Sequence, residues 1–253
     1  MIKLVAKDWV FENIDTVIFD KDGTFIDLHF FWGKITELRA LAIINKFNLD
    51  KNLLNTICAF LGYNPTSGKM LSNGITAMYS RVKIIEIFTK KLEEIGVYTS
   101  ESEIEKIFDN VSQEFNKNLV KYIKPIDDAI NFIETLYQHN IKLGIVTSDS
   151  VETTKLTLSN YPWGKYFDVI IGRESTPETK ESGIPTKLAL KKLGAVPQKT
   201  IMIGDAPMDS ISAKNAGIDK TILVATGQIA LEELKKDSDF VLNSLKELKC
   251  LKI

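Results

Sequence analysis

The chain has 253 residues, 44% of them hydrophobic and 26% charged, enough for one large domain or two modest ones with a substantial core. The 32 Lys+Arg against 33 Asp+Glu leave a formal net charge of −1, which argues against nucleic acid or an anionic membrane as partner. Cys58 and Cys250 lie far apart in sequence and form no metal or redox motif, so both are read as free thiols of a reducing cytosol. The start of the chain carries Lys3, Lys7 and Asp8 and lacks the unbroken apolar stretch of a signal peptide. No run approaches the roughly 18 apolar residues of a spanning helix. A cytoplasmic protein is therefore expected.

Residues 1–13 read as an N-terminal extension with a short edge strand over 2–6. Thr16-Val17-Ile18-Phe19 then forms a run of β-branched and apolar residues, the mark of a buried strand over about 15–20. It ends in Asp20-Lys21-Asp22-Gly23-Thr24. In an extended chain residues i and i+2 share a face, so Asp20 and Asp22 can meet at one site. Gly23 lets the backbone turn sharply behind them. From 27 to 122 the pattern becomes helical, with apolar spacings of three and four at Leu38, Leu41 and Ala42, at Ile84, Ile87 and Phe88, and at Ile104, Ile107, Phe108, Val111 and Phe115. Ser100 with Glu103 is a capping-box signature. The stretch Gly62 to Gly74, rich in Gly, Ser, Asn and Pro, predicts a long loop.

After Pro125 strands and helices alternate. A helix is expected over 127–139, a strand over 142–147, a helix near 151–160 and a strand over 168–171. A loop over 172–185 leads to a helix over 185–193, with Pro185 in its first turn and Gly194 past its end. A strand over 200–203, a helix over 209–216, a strand over 221–224, a helix near 228–236, a strand over 240–242 and a short last helix complete the chain. Alternation of this kind means a Rossmann-like α/β fold, a parallel sheet with helices on both faces. The domains predicted are an α/β core over 1–26 and 123–253 and an inserted helical domain over 27–122.

Three of these strands end in residues that carry chemistry: Asp20 and Asp22, Thr147 and Ser148, and Asp205 and Asp209. Ligands of open parallel sheets bind beyond the carboxyl ends of the strands. Clustered carboxylates repel unless a cation or a shared proton relieves them, and oxygen ligands favour Mg²⁺ over zinc. A phosphate carried in with the metal is the substrate such a site implies.

These motifs, in this order, resemble those of the haloacid dehalogenase-like (HAD) hydrolases, in particular the phosphoglycolate phosphatase-like members with a helical C1 cap inserted after the first motif. The resemblance covers nearly the whole chain. It implies that Asp20 attacks phosphorus to give an aspartyl-phosphate and that Asp22 serves first as acid and then as base. It implies that Thr147 binds the phosphoryl group, with backbone N–H groups near Gly23 and Ser148. It also implies that a motif lysine offsets the charge, that Mg²⁺ is bound by Asp20, Asp205 and the backbone carbonyl of Asp22, and that Asp209 holds metal-bound water or orients the motif lysine. The family usually shows Lys-Pro where this chain has Lys180-Glu181. Lys180 precedes Asp205 at close to the family's habitual separation and is preferred to Lys187, which falls inside the helix after Pro185.

The function expected is a Mg²⁺-dependent phosphatase of a small phosphorylated metabolite, phosphoglycolate- or sugar-phosphate-like. A phosphotransferase or phosphomutase of the same fold is the alternative, and a non-catalytic binding module is a third reading. Asp22 argues against the dehalogenases, which lack the second acid. Gly204-Asp205 argues against the mutases, which usually show Glu-Asp there. Several residues have plainer readings. Asp209 can be a helix N-cap, and Ser148, Asp149 and Ser150 turn or cap residues. Lys21 should point away from the acids, and His29 and His139 read as surface or satisfied histidines. Phe25, Phe30, Phe31 and Trp32 read as packing residues, and Arg39 and Arg81 as residues of a solvated face.

Overall fold

The computed structural model describes residues 1–7 and 9–252. Two antiparallel strands, β1 (Ile2–Ala6) and β2 (Trp9–Ile14), precede the strand that carries the first motif, β3 (Thr16–Phe19). All four residues of β3 are completely buried, as a central parallel strand covered on both faces requires. The chain then leaves the sheet for the helices α1 (Leu28–Lys46) and α2 (Leu54–Phe60), a short hairpin of β4 (Tyr63–Asn64) and β5 (Lys69–Met70), and α3 (Ile75–Met78), α4 (Arg81–Glu93) and α5 (Glu101–Lys117). It returns with α6 (Asp127–Gln138), β6 (Lys142–Val146), α7 (Val151–Ser159), β7 (Val169–Ile171), α8 (Ile184–Leu193), β8 (Thr200–Gly204), α9 (Pro207–Asn215), β9 (Thr221–Val224), α10 (Leu231–Leu234), β10 (Val241–Leu242) and β11 (Lys249–Lys252). The chain divides into two compact units, Met1–Asp27 with Lys124–Ile253, and Leu28–Ile123. No helix among the described residues is long and apolar enough to cross a membrane.

The first unit is an α/β domain around a six-stranded parallel sheet in the order β10-β9-β8-β3-β6-β7. β3 lies in its interior, with Phe19 in register with Ile145 of β6 and Ile203 of β8. Neighbouring residues of a strand face opposite sides, and both sides are filled. Ile18 packs with Val146, Met202, Ala189 and Leu193 under α8 and α9. Phe19 meets Phe25, Phe167 and Phe132 of α6 edge-on, with ring centroids 6.1–6.5 Å apart.

The chain ends depart from expectation. β1 is the central strand of a separate three-stranded antiparallel sheet, β11-β1-β2, not an edge. The anticipated last helix is a single 3₁₀ turn, Leu245–Glu247, followed by β11. Residues 249–252 are mostly exposed and too few to show a buried face in sequence; pairing with β1 makes them a strand.

The helical unit has its own core, which includes Ile43, Ile57, Cys58, Leu61, Phe88, Leu92, Ile104 and Phe108. The expected loop from Gly62 to Gly74 is instead a hairpin, Tyr63 pairing with Met70 and Asn64 with Lys69. The Asn64 side chain accepts the N–H groups of Thr66 and Ser67 and so supplies the turn. A Cβ on Gly62 would stand 2.6 Å from Cα of Gly74, so this pair of glycines lets the two ends of the hairpin meet. His29 is a satisfied histidine, its Nδ1 accepting the Met70 N–H at 3.1 Å. Arg81 stays at the surface, paired with Asp109. Arg39 does not. It is buried, with its guanidinium 4.5 Å above the centre of the Phe108 ring. Burial, assisted by the nearby Arg81 and opposed by Asp109, pushes its pKa down to about 10. Its place on an otherwise apolar helix face explains the misreading as solvated: a charged residue on a packed face needs a ring to lie on, and periodicity does not reveal one.

At the start of α5, Ser100 Oγ accepts the Glu103 N–H at 3.2 Å, while the Glu103 carboxylate takes the Thr99 hydroxyl and Lys46 rather than returning to Ser100. Only half of the expected capping box is built. Ser100→Ala is expected to lower stability by about 1 kcal/mol, read as a reduced urea midpoint at unchanged slope.

Candidate active site

Asp20, Asp205 and Thr147 each stand one residue past a strand, at the ends of β3, β8 and β6. Those strands are neighbours, so the three side chains gather at the carboxyl edge of the sheet. Asp20 is fixed by its N–H bond to the Ile203 carbonyl (2.8 Å), and Thr147 by its N–H bond to Ile171 (3.0 Å). Lys180 reaches the same edge from a single 3₁₀ turn, Lys180–Ser182. Its Nζ lies 2.5 Å from Asp20 Oδ1 and 2.6 Å from Asp209 Oδ1. Lys187 is exposed on α8.

Local chemistry explains how Lys180 arrives there. Gly183 closes its turn at φ +76°, and a Cβ on it would come within 2.6 Å of the Asn215 carbonyl carbon. Asn215 Nδ2 in turn donates to the Glu181 carbonyl at 2.7 Å. The turn is thus docked on the end of α9, the helix that carries Asp209. α9 begins at Pro207, two residues earlier than expected. Asp209 is therefore not the N-cap. It is the third residue, and its Oδ2 reaches back to accept the Ala206 N–H at 3.1 Å.

Asp205 is held by bare backbone. A Cβ on Gly23 would lie 2.3 Å from its Oδ2, and one on Gly227 only 1.7 Å. Thr24 Oγ1 stands 3.4 Å from Asp205 Oδ1, and Thr226 Oγ1 donates to the Gly23 carbonyl at 2.5 Å. Thr226 and Gly227 were not singled out from sequence. Their position directly after β9, another strand of the same sheet, is the signal that points to them.

Two expectations need correction. Lys21 does not point away from the acids: it is fully buried, with Nζ 2.6 Å from Asp22 Oδ1 and 3.1 Å from Asp149 Oδ2. Burial disfavours its charge, but the two carboxylates outweigh that and raise its pKa. The Gly23 N–H is not turned toward a ligand, because it donates to the Ile26 carbonyl at 2.8 Å and closes the turn. Gly23, at φ +87°, contributes conformation and close approach instead. Among the described residues no three His, Cys, Asp or Glu side chains are grouped to hold a metal ion. Asp22 is engaged by Lys21, and Asp209 by Lys180 and the Ala206 amide. Ser148 is exposed, its Oγ 3.9 Å from Met208 Sδ, and Ser150 caps α7 through the Thr153 N–H.

What remains at the edge is an excess of negative charge. Asp20, Asp205 and Asp209 are buried together with Lys180 as their shared cation. Burial lifts Asp20 to about 6, Lys180 opposing and Asp209 adding. Burial, then the charges of Asp20 and Asp209, hold Asp205 well above the usual carboxylate range. Lys180 is raised, its two carboxylate partners outweighing its desolvation. A buried edge short of positive charge, carrying the carboxylates of Asp20 and Asp205, has the donor chemistry that suits a divalent cation.

The chain belongs to the haloacid dehalogenase-like hydrolase family, whose sequence profile matches residues 17–224. Among its relatives, pyrophosphatase PpaX of Halalkalibacterium halodurans is 29% identical over 237 residues, which is 93% of this chain and 95% of that protein. A phosphoglycolate phosphatase of Aquifex aeolicus is 26% identical over 231 residues, 89% of this chain and 94% of that one. The crystal structure of a predicted phosphoglycolate phosphatase from Haemophilus somnus superposes with a TM-score of 0.68 over 94% of this chain and 97% of its own, at 18% identity, and shows the same fold.

The raised carboxyls make stability depend on pH in a definite direction. A carboxyl whose folded pKa exceeds its unfolded value of 3.8 contributes stability that is present below that value and lost as pH rises through the folded pKa, about 6 for Asp20. With chelator present, the melting temperature is therefore expected to fall between pH 5 and pH 8. Asp205→Asn should flatten the decline, and added Mg²⁺ should raise the melting temperature more at pH 8 than at pH 5. A second expectation concerns the cradle. Gly227→Ala should leave the fold intact but displace the Asp205 carboxylate, weakening Mg²⁺ binding measured by calorimetry by on the order of tenfold or more.

Proposed function

We propose that the chain is a Mg²⁺-dependent phosphatase that hydrolyses a small phosphorylated metabolite, phosphoglycolate- or sugar-phosphate-like, through an aspartyl-phosphate on Asp20. The observation that carries this reading is the buried Lys180 ammonium between Asp20 and Asp209, beside Asp205 at the carboxyl edge of the sheet. A carboxylate held by one lysine, with its N–H tied to the next strand, is oriented for attack rather than free to rotate.

In the first step Asp20 bonds to phosphorus as the ester P–O bond breaks, and Asp22 gives the leaving oxygen its proton. In the second, water attacks phosphorus, Asp22 takes the water's proton, and the Asp20–phosphorus bond breaks to release inorganic phosphate. Lys180 offsets the phosphoryl charge, and Asp209 keeps the lysine in place. Thr147, whose Oγ1 accepts the Asp149 N–H at 3.1 Å, has a hydroxyl proton to donate to a phosphoryl oxygen. Mg²⁺, held by Asp20 and Asp205, would neutralise phosphoryl oxygens and balance the carboxylate charge. The helical unit, inserted in the chain directly behind the first motif, acts in this reading as a cap that limits the site to small substrates.

The relatives are named for pyrophosphate and phosphoglycolate, so both belong in a substrate panel with sugar phosphates. Purified protein with Mg²⁺ is expected to release phosphate from at least one of them. Asp20→Asn should lower the rate by a factor on the order of 10³ or more with an unchanged circular dichroism spectrum. Chelation of Mg²⁺ should abolish turnover reversibly. An Asp20→Asn protein as active as wild type would overturn the reading.

A further inference from the structure

Lys21 separates the two acids of the first motif and has no part in the mechanism above. An extended backbone would send its side chain away from Asp22, yet the two touch, because the chain stops being extended at Lys21. Its carbonyl accepts the N–H groups of Thr24 (3.3 Å), Phe25 (3.1 Å) and Ile26 (3.1 Å), so the turn winds around this residue. The side chain is fully enclosed and bridges Asp22 Oδ1 at 2.6 Å to Asp149 Oδ2 at 3.1 Å. Asp149 is itself held on three sides. Its Oδ1 accepts the Ser150 N–H at 2.7 Å, its own N–H donates to Thr147 Oγ1 at 3.1 Å, and its carbonyl accepts the Arg173 N–H at 3.0 Å.

We propose that Lys21, braced by Asp149, is a positioning residue that fixes the orientation of the Asp22 carboxyl for proton transfer to the leaving oxygen. The proposal rests on the phosphatase reading above. A carboxyl on a short side chain has a free χ1, and transfer of a proton to an ester oxygen demands one orientation at hydrogen-bond distance. Fastening Oδ1 to a lysine that is fastened to the next strand end sets the plane of the carboxyl and hence the place of Oδ2. Because the Asp149 N–H also donates to Thr147 Oγ1, the same brace ties the acid to the phosphoryl-binding hydroxyl. Stability alone does not require this arrangement, since buried ion pairs are often replaceable by apolar side chains of similar volume without loss.

A positioning role has a signature that a structural one lacks. Protonation of the leaving group matters when the departing alkoxide or phenoxide is basic and hardly matters when it is not. kcat/KM reports the steps up to departure of the leaving group, so it is read for phenyl phosphate and for 2,4-dinitrophenyl phosphate with Mg²⁺. Lys21→Met is expected to lower kcat/KM on phenyl phosphate by on the order of 10² and on the dinitrophenyl ester by about threefold or less. Asp149→Asn keeps its shape and loosens only the brace. It should show the same selectivity at about tenfold on phenyl phosphate, and it carries the test should Lys21→Met not fold. Melting curves and near-ultraviolet circular dichroism establish that each variant is folded. Equal losses on the two esters, or no loss on either, in a folded variant would overturn the positioning role while leaving the phosphatase reading standing. Wild-type protein inert toward both esters and toward every member of the substrate panel above would overturn the two together.

Discussion

The candidate site of the α/β unit is built around the buried ammonium of Lys180. Lys180 lies between Asp20 and Asp209, and all three are more than nine-tenths removed from solvent. Each charge alone would be strongly disfavoured there, and removing one partner from such a group leaves the others uncompensated. The lysine therefore commits three distant pieces of chain to one geometry: the end of β3, the turn before α8, and the first turn of α9. The turn can serve only because Gly183 and Asn215 dock it against α9. The buried Thr186–Ser212 hydroxyl pair, 2.7 Å apart, joins α8 to α9 just behind.

Around that pairing the site is defined as much by absent side chains as by present ones. Gly23 and Gly227 lie against Asp205, and Gly204 lies against Asp209, where a Cβ would come within 2.1 Å of the carboxylate. Close backbone walls keep two acids in fixed places at a sheet edge where electrostatics would drive them apart. The incomplete compensation is visible in Asp20 and Asp205, both lifted above the usual carboxylate range. A protein that keeps such a site has accepted a local loss of stability. Lys21 makes a second ion-paired group a few residues away with Asp22 and Asp149, while the charge of Asp22 still adds to the raised pKa values of Asp20 and Asp205.

The helical unit obeys other constraints. Its core is apolar and continuous, and among the described residues it buries one charged side chain, Arg39, whose pKa burial above the Phe108 ring lowers to about 10. Its 62–74 segment is a hairpin held by an asparagine turn and a glycine contact rather than an open loop. The α/β unit supplies a reaction common to many phosphate esters.

Much of this was legible in the sequence. The apolar run before Asp20, the alternation of strands and helices after Pro125 and the position of each acid after a strand determined a parallel sheet with its chemistry at the carboxyl edge. These are local properties: periodicity reports which face of an element is buried, and the end of a strand in a parallel sheet reports which edge it serves. Partner choice is not local. Lys180 and Asp20 are 160 positions apart, and the exposed position of Lys187 on α8 emerged only from the packed helices. Alternation in an extended chain placed Lys21 on the wrong side, since the turn that winds around its carbonyl is closed by later residues. The Gly23 amide is likewise used up inside that turn, and the two chain ends become strands because they find each other. The sequence by itself determined the elements and the kinds of groups at the site. The tertiary structure decided which charge meets which, because the free energy of a buried ion depends on its nearest partners and on the water excluded around them.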